Sequence, residues 1–360
     1  MKYPSKILLL LIFGLLKNIL LFGDLSCPYL KSSRDGRFLA GLSNSRKTIK
    51  TVGSLGKTRL DKSTMTIRHL SSISHFAITR DGKKIAYCFS YDNLIYIFDL
   101  LKQQTQIIES KQSDWITDLV FTEHYHECLL ASCSSDGTVK LWEKQKKYDL
   151  DYKFAQEIKG SKEKKINTIS FGIMPHYRLK KSAGGGNYPA TTLACGFDDG
   201  SIAVWWVSFC CVTRKYQFIQ IHEIPPYTEH ELKSIKHIEF YPKQLGDFDD
   251  EINWDVILAA EADNSVRLFN TDDTNFITIR EPSDDELLSV SFSSFGRYIV
   301  LQTKSSTQIW NYETKTIYKT YETPNIISVA LVEDVIDGEP SLILVMKDGY
   351  NGNIERIFVR

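Results

Sequence analysis

The chain has 360 residues, with 44 basic and 44 acidic side chains, 42% hydrophobic residues, 20 glycines and 10 prolines. This composition excludes a disordered chain, a collagen-like fibre and a membrane protein with several spans, and the length allows two average domains or one large all-β domain. The zero net charge is the sum of two unequal parts, because Met1 to Thr64 carries +9 and Met65 to Arg360 carries −9. We therefore treat these two parts separately.

Residues 1–24 have the layout of a signal peptide. Lys2 and Lys6 precede an apolar run over 7–16, which has the length of a secretory h-region. A membrane-spanning helix needs about twenty apolar residues and would bury Lys17. Two alternatives stay open: the run is an uncleaved membrane anchor, or translation begins at Met65.

Residues 25–64 are basic, poor in acidic residues and contain many Ser and Thr residues, which is typical of a transit peptide or a disordered linker. Together the two segments resemble the bipartite leaders of plastid-targeted proteins. A functional leader directs the protein to the secretory pathway or a plastid. A start at Met65 instead predicts a protein of the cytoplasm or the nuclear envelope.

From Met65 onwards, one pattern recurs six times: an apolar strand, a turn, a second strand, an Asp-containing turn and a third strand that ends in an aromatic residue. The closing aromatics are 41 to 64 residues apart, which fits four-stranded propeller blades with insertions. Asp-Gly and Asp-Asn pairs favour tight hairpins because they tolerate positive φ. The closing aromatics are Phe98, Trp142, Trp205, Phe269, Trp310 and Phe358, and the clearest turn aspartates are Asp136, Asp199 and Asp263.

The repeats predict an all-β fold, a six-bladed β-propeller over residues 65–360, with a seven-bladed ring as the alternative. A single blade cannot bury both of its faces, so we expect the blades to stack radially around an axis. The predicted blade cores cover 65–110, 111–155, 156–215, 216–280, 281–320 and 321–360.

Two third-strand segments, Ser135 to Trp142 (SDGTVKLW) and Asp199 to Trp205 (DGSIAVW), resemble the signature of the WD-repeat family. The Gly-His pair that opens each repeat in that family is absent, so we expect the blades to be held mainly by apolar packing. Most repeats also lack the final Asp, which is replaced by Glu143, Trp206, Asn270 and Asn311.

Within that family, residues 114–143 resemble the six-bladed propellers of Seh-type nuclear-pore subunits and Sec-type COPII coat subunits. The residues that show this resemblance are Trp115, the loop His124-Tyr-His126 and Leu130-Ala-Ser-Cys-Ser134. The resemblance implies a non-catalytic scaffold in protein or mRNA transport. It also implies an open propeller edge that accepts a strand or blade from an α-solenoid partner.

The last predicted strand ends at Phe358, two residues before Arg360. Thr64 to Leu70, which includes Ile67, is the β-like run that could pair with this strand and close the ring. If it does not pair there, the edge is open to another polypeptide. We therefore predict partner contacts at Ile67 and Arg360. Further candidate contacts are Trp115, Trp206 and Phe209, with outer-strand packing as the alternative for Trp206.

No other chemistry is predicted. His124, His126 and Cys128 supply three zinc ligands without a fourth, and Gly184 to Gly186 lacks the lysine of a phosphate loop. The paired carboxylates at 249–250 and 284–285 lie in polar turns, where acid–base catalysis is not expected. The buried-looking cysteines are expected to be free thiols; they are Cys88, Cys133 and Cys195.

Two basic runs, at 162–165 and 178–181, could contact nucleic acid. Residues 65–360 carry a net charge of −9, which opposes phosphate binding, so nucleic acid is not a predicted partner. We predict no enzyme activity, no cofactor and no metal. The predicted partners are other proteins, and a membrane contact would come only from an uncleaved leader. The alternative function is an interaction propeller that the leader imports into the secretory pathway or a plastid.

Overall fold

The computed structural model describes residues 29–32, 38–42, 47–53, 65–79, 81–90, 92–122, 129–145, 150–159, 164–174, 190–210, 215–226, 233–242, 256–270, 275–293, 296–322, 330–336, 339–345 and 354–358. All the regular structure in these ranges is β-strand. The strands form seven antiparallel sheets, six of four strands and one of three. In every sheet consecutive strands pair, and the sheets follow one another along the chain.

The strands of the first four sheets are as follows. Sheet 1 contains β1 (Tyr29–Ser32), β2 (Phe38–Leu42), β3 (Thr48–Gly53) and β4 (Met65–Arg68). Sheet 2 contains β5 (Ile73–Ile78), β6 (Lys84–Phe89), β7 (Leu94–Asp99) and β8 (Gln104–Glu109). Sheet 3 contains β9 (Ile116–Phe121), β10 (Leu129–Ser134), β11 (Thr138–Lys144) and β12 (Tyr152–Lys159). Sheet 4 contains β13 (Ile166–Met174), β14 (Ala190–Phe197), β15 (Ile202–Cys210) and β16 (Lys215–Ile224).

The remaining three sheets complete the series. Sheet 5 contains β17 (Ile235–Phe240), β18 (Val256–Glu261), β19 (Val266–Asn270) and β20 (Phe276–Arg280). Sheet 6 contains β21 (Leu287–Phe292), β22 (Tyr298–Thr303), β23 (Ser306–Asn311) and β24 (Thr316–Glu322). Sheet 7 contains β25 (Ala330–Ile336), β26 (Glu339–Val345) and β27 (Ile354–Phe358).

The turns between second and third strands explain the recurring Asp-Gly and Asp-Asn pairs. In sheet 3 the N–H of Gly137 donates to the carbonyl of Ser134 at 3.1 Å, and Gly137 has a φ of 77°. In sheet 5 Asn264 takes the same place with a φ of 66°, which Asn tolerates better than most residues. The backbone of Asp136 itself does not have a positive φ. These turns therefore differ from the predicted two-residue hairpins, in which both central residues would have positive φ.

The first strands of successive sheets are neighbours in space. β1 contacts β5, β5 contacts β9, and the series continues through β13, β17 and β21. β1 also contacts β25, the first strand of sheet 7. Because the series of sheets returns to its starting point, the architecture is consistent with a WD-repeat propeller, in which sheets stand side by side around an axis.

The hydrophobic core lies between the sheets. Leu42, Ile49 and Ile67 of sheet 1 pack with Ile73 and Tyr87 of sheet 2, and all five are buried. Comparable clusters join sheets 2 and 3, 3 and 4, 4 and 5, and 5 and 6. A sheet in the middle of this series is therefore covered on both faces.

Polar side chains join the first strands of neighbouring sheets. The backbone N–H of Ile169 in β13 donates to Asp118 of β9 at 3.2 Å. The N–H of Phe240 in β17 donates to Ser170 of β13 at 3.2 Å, and Glu239 of β17 accepts the N–H of Phe292 in β21 at 3.0 Å. A first strand pairs with one strand only, so these side chains satisfy donors that the sheet itself leaves unpaired.

Sheet 1 differs from the sequence prediction. A linker is predicted over 25–64, but β1, β2 and β3 lie within it. The basic residues that hide this pattern, such as Lys31 and Lys47, are exposed, while Ala40, Leu42 and Ile49 face the core. β4 pairs with β3, so the run containing Ile67 completes sheet 1 and does not pair with β27.

The described residues contain no helix that is long and apolar enough to cross a membrane. The segment predicted as a signal peptide, 1–24, lies outside them.

Candidate protein-interaction surface

We call one end of the ring the upper surface. It is formed by the turns between second and third strands and by the connections from each sheet to the next. The opposite end, with the turns between first and second and between third and fourth strands, is the lower surface. Antiparallel pairing of consecutive strands places all segments of one kind at the same end.

The turn aspartates tie the upper surface together. In sheet 3, Asp136 accepts the backbone N–H of Ser113 at 2.7 Å and that of Thr138 at 2.9 Å. Asp199 in sheet 4 forms an ion pair with Lys164 at 2.8 Å. Each aspartate thus joins its own turn to the connection that enters the same sheet.

Asp263 makes the same link in sheet 5, where its carboxylate lies 2.9 Å from the Nζ atom of Lys233. Partial burial raises the pKa of these turn carboxyls, but hydrogen bonds outweigh it, and Asp199 and Asp263 also face a lysine. The pKa values of Asp136, Asp199 and Asp263 therefore lie below the ordinary value, and the three groups are anionic at neutral pH.

Beneath the sheet 3 turn lies a buried polar network. The indole Nε1 of Trp142 donates to Ser132 at 3.1 Å, and the Ser132 hydroxyl donates to the Oε1 atom of Gln112 at 3.1 Å. The Nε2 atom of Gln112 donates to the carbonyl of Thr138 at 3.2 Å. Gln112 is 3% exposed, so the network fixes the connection between β8 and β9 from below.

This network adds a polar link to sheet 3, whose two faces otherwise pack through apolar clusters, as expected. Sequence reasoning missed Gln112 because it lies in a connection without periodicity. Its side chain can donate and accept at once, so it can bridge two groups that lie on different strands.

Trp115 lies three residues after Gln112 and is 56% exposed. Its backbone N–H donates to the Asp114 carboxylate at 2.8 Å, and its backbone carbonyl accepts the N–H of Ser135 at 3.1 Å. Ser134 donates to the carbonyl of Asp114 at 2.9 Å. The backbone on both sides of the exposed indole is therefore held by the turn of the same sheet.

Trp115 is aromatic, while its described counterparts in four other sheets are polar. It immediately precedes the first strand of sheet 3. The corresponding residues of sheets 2, 4, 5 and 6 are Ser72, Lys165, Ser234 and Glu286. An exposed aromatic side chain on a fixed backbone is the usual form of an interface anchor.

Asparagines connect neighbouring sheets at the same surface. The Asn93 side chain in the sheet 2 turn donates to the carbonyl of Gln112 at 2.8 Å. Asn264 in sheet 5 donates in the same way to the carbonyl of Ser283 at 2.9 Å, and its Oδ1 atom accepts the N–H of Leu287 at 3.1 Å. The upper surface is thus braced both within sheets and between them.

Two other predicted contact residues are buried. Ile67 is 7% exposed in the cluster between sheets 1 and 2. Trp205 and Trp206 point to opposite faces of sheet 4, as alternation predicts, but they are only 6% and 7% exposed. The burial of Trp206 contradicts a partner contact and agrees with the alternative of outer-strand packing, since Trp206 lies opposite Ile219 of β16.

Phe209 lies in β15, but its side chain is outside the described residues, as are Arg360 and the side chain of Phe358. The other closing aromatics occupy equivalent register positions, opposite Ile85, Leu130, Leu193, Ile257 and Ile299 of the second strands. Trp142, Trp205 and Phe269 are buried, while Phe98 and Trp310 are partly buried.

In the described residues, no group of three or more His, Cys, Asp or Glu side chains could hold a metal ion. The predicted string of His124, His126 and Cys128, Gly184 to Gly186 and the carboxylates at 249–250 lie outside them. Cys88, Cys133 and Cys195 are free and buried, as predicted. Burial raises the pKa of Cys88 to about 12, so this thiol is neutral.

A family model described as "WD domain, G-beta repeat" matches residues 102–143. This match spans β8 to β11 and includes Gln112, Trp115, Asp136 and Trp142. A search of curated proteins finds no match to the sequence. The family match and the repeated four-stranded sheets together support a WD-repeat β-propeller, and WD40 domains generally mediate interactions between proteins.

Proposed function

We propose that this WD-repeat propeller is a non-catalytic scaffold that binds other proteins through its upper surface. The observation that carries the proposal is Trp115, an exposed indole on a backbone held by Asp114, Ser134 and Ser135. Such a site binds without first having to order a loop, so less of the interaction energy is lost to entropy.

A catalytic role has less support. Among the described turn carboxylates of the upper surface, Asp136, Asp199 and Asp263 are held by hydrogen bonds or lysines, and their lowered pKa values disfavour proton transfer near neutral pH. Partial burial raises the pKa of Asp92, but its carboxylate is held by the N–H of Leu94 at 3.2 Å. The free thiol of Cys133 is fully buried and its pKa is raised by that burial, which disfavours the thiolate that a nucleophile requires.

A photo-crosslinking amino acid placed in the full chain tests the scaffold role. Leu70 is 94% exposed on the upper surface and Leu101 is 53% exposed on the lower surface, so the two leucines are accessible positions on opposite surfaces. We expect irradiation of living cells to give a defined protein adduct from position 70 and not from position 101. Absence of adducts from both positions would contradict the scaffold role.

At a finer level, we propose a structural role in the nuclear-pore outer ring or a vesicle coat, with an α-solenoid subunit as the partner. Support comes from sheet 7, where β27 pairs only with β26 among the described strands. An edge of this kind can accept a strand from another chain. Hydrogen exchange of residues 354–358 should slow when a purified α-solenoid partner is added, and unchanged exchange would count against this assignment.

Import by a leader is the second candidate. It is favoured by the position of β1, because a cut between residues 24 and 28 would leave all four strands of sheet 1 intact. N-terminal sequencing of the native protein should then find a first residue in this range. A mature protein that begins at Met1 would remove the cleaved-leader interpretation.

A further inference from the structure

We propose that the upper surface binds a cationic segment of another protein, with an arginine side chain stacked on Trp115. This inference rests on the scaffold function and adds the chemistry of the partner. It follows from the charge around the indole and from the way in which that charge is held.

The described part of the upper surface is acidic. The described residues of its turns and connections carry ten carboxylates and six ammonium groups. The acidic residues are Asp92, Asp114, Asp136, Asp198, Asp199, Asp263, Glu281, Asp284, Asp285 and Glu286, and the basic residues are Lys47, Lys111, Lys164, Lys165, Lys233 and Lys304. This imbalance attracts positively charged partners.

Two of these carboxylates are fixed on the connection that contains Trp115 and on the turn bonded to it. Asp136 accepts from both the N–H and the hydroxyl of Ser113, two residues before the indole. Asp114 accepts the N–H of Trp115 itself. Lys164 in the next sheet is balanced by Asp199 at 2.8 Å and Glu223 at 3.6 Å, so it offsets little of this field.

An exposed indole on a surface rich in carboxylates fits an arginine better than a lysine. A guanidinium can stack on the ring face while its N–H groups donate to a carboxylate in the same plane. An acidic partner segment or the phosphates of a nucleic acid would instead meet like charge here. The geometry therefore favours an arginine-bearing protein segment.

The test uses labelled Gly-Ser peptides of equal length that carry several arginines, lysines or glutamates. Fluorescence anisotropy with the full chain at low salt should rank affinity as arginine, then lysine, then glutamate. Trp115→Ala should weaken the arginine peptide by about two- to thirtyfold, the range of a cation–π contact. Trp115→Phe should weaken it less, and added salt should weaken it further.

Asp114→Asn is the matched charge variant, because the amide oxygen can still accept the Trp115 N–H while the negative charge is lost. We expect it to weaken the arginine peptide, with a smaller effect of salt than in the wild type. Leu101→Ala, at a lower-surface position of similar exposure, should change nothing.

Equal binding of the arginine and glutamate peptides, no binding of either, or unchanged binding by Trp115→Ala would each overturn the proposal. So would self-association of the chain that depends on Trp115, because the occupant would then be a second copy. If the crosslinked adduct at position 70 persists in Trp115→Ala cells, the scaffold role stands and only the cationic anchor fails.

Discussion

Alanine substitutions in sheet 1 test whether the basic N-terminal segment belongs to the folded ring. Leu42 and Ile49 are 0% exposed and pack with Ile73 and Tyr87 of sheet 2. Truncating a side chain at such a site removes buried apolar surface and leaves a cavity, at a cost of about 2–5 kcal/mol. We expect Leu42→Ala and Ile49→Ala each to lower the free energy of unfolding by that amount. This is a large share of the roughly 5–15 kcal/mol that stabilises a typical protein.

Urea unfolding followed by tryptophan fluorescence is a suitable assay, because all six tryptophans lie outside sheet 1. A lower urea midpoint of the fluorescence change then shows that the loss of stability in sheet 1 also destabilises the other sheets. Leu70→Ala is the control, since this leucine is 94% exposed two residues after β4 and its loss should cost less than about 0.5 kcal/mol. If Ile49→Ala behaves like this control, sheet 1 is not packed on sheet 2, and the linker interpretation is correct after all.

Three more changes probe sheets 3 and 4. Ser132→Ala leaves the buried Trp142 Nε1 without its acceptor and should lower the free energy of unfolding by about 1–3 kcal/mol; a urea midpoint equal to wild type would refute this. Gly200→Ala should lower the thermal midpoint, because Gly200 has a φ of 85° and an added Cβ would lie 2.6 Å from the backbone oxygen of Lys233; an unchanged midpoint would contradict the turn assignment. The lowered pKa of Asp136 means that its contribution to stability is complete above about pH 4 and is lost as pH falls through the folded-state pKa. The Asp136→Asn variant should therefore be less stable than the wild type at neutral pH and should lose less stability on acidification. Parallel acid titrations followed by circular dichroism check this, and equal losses in the two proteins would contradict it.

The inner three strands of sheets 2 to 6 are predictable because they alternate strongly and are separated by Asp turns. Trp142 and Trp205 are recognisable as equivalent residues from spacing alone, and they oppose Leu130 and Leu193 in the same register. The fourth strands are harder to detect. β24, for example, has no buried residue, so packing has imposed no hydrophobic period on its sequence.

Sequence reasoning fails where burial depends on a neighbouring sheet. Alternation correctly separates Trp205 from Trp206, but it cannot tell that both faces of sheet 4 are covered. In sheet 1 the alternation is short and is interrupted by lysines, so the overall basic composition of residues 25–64 outweighs it. Gln112 lies between strands and could be recognised only from its bonds to Ser132 and Thr138.

The side chains that join first strands make the repeats non-interchangeable. Asp118, Ser170 and Glu239 differ in length and charge, and each accepts an N–H from one particular residue of the following sheet. Tandem duplication or exchange of a single unit would leave such a donor buried and unmatched, at about 1–3 kcal/mol for each junction. The order of the repeats is thus encoded in the lining of the ring, and engineered versions of this protein would have to transplant units together with the acceptor that precedes them.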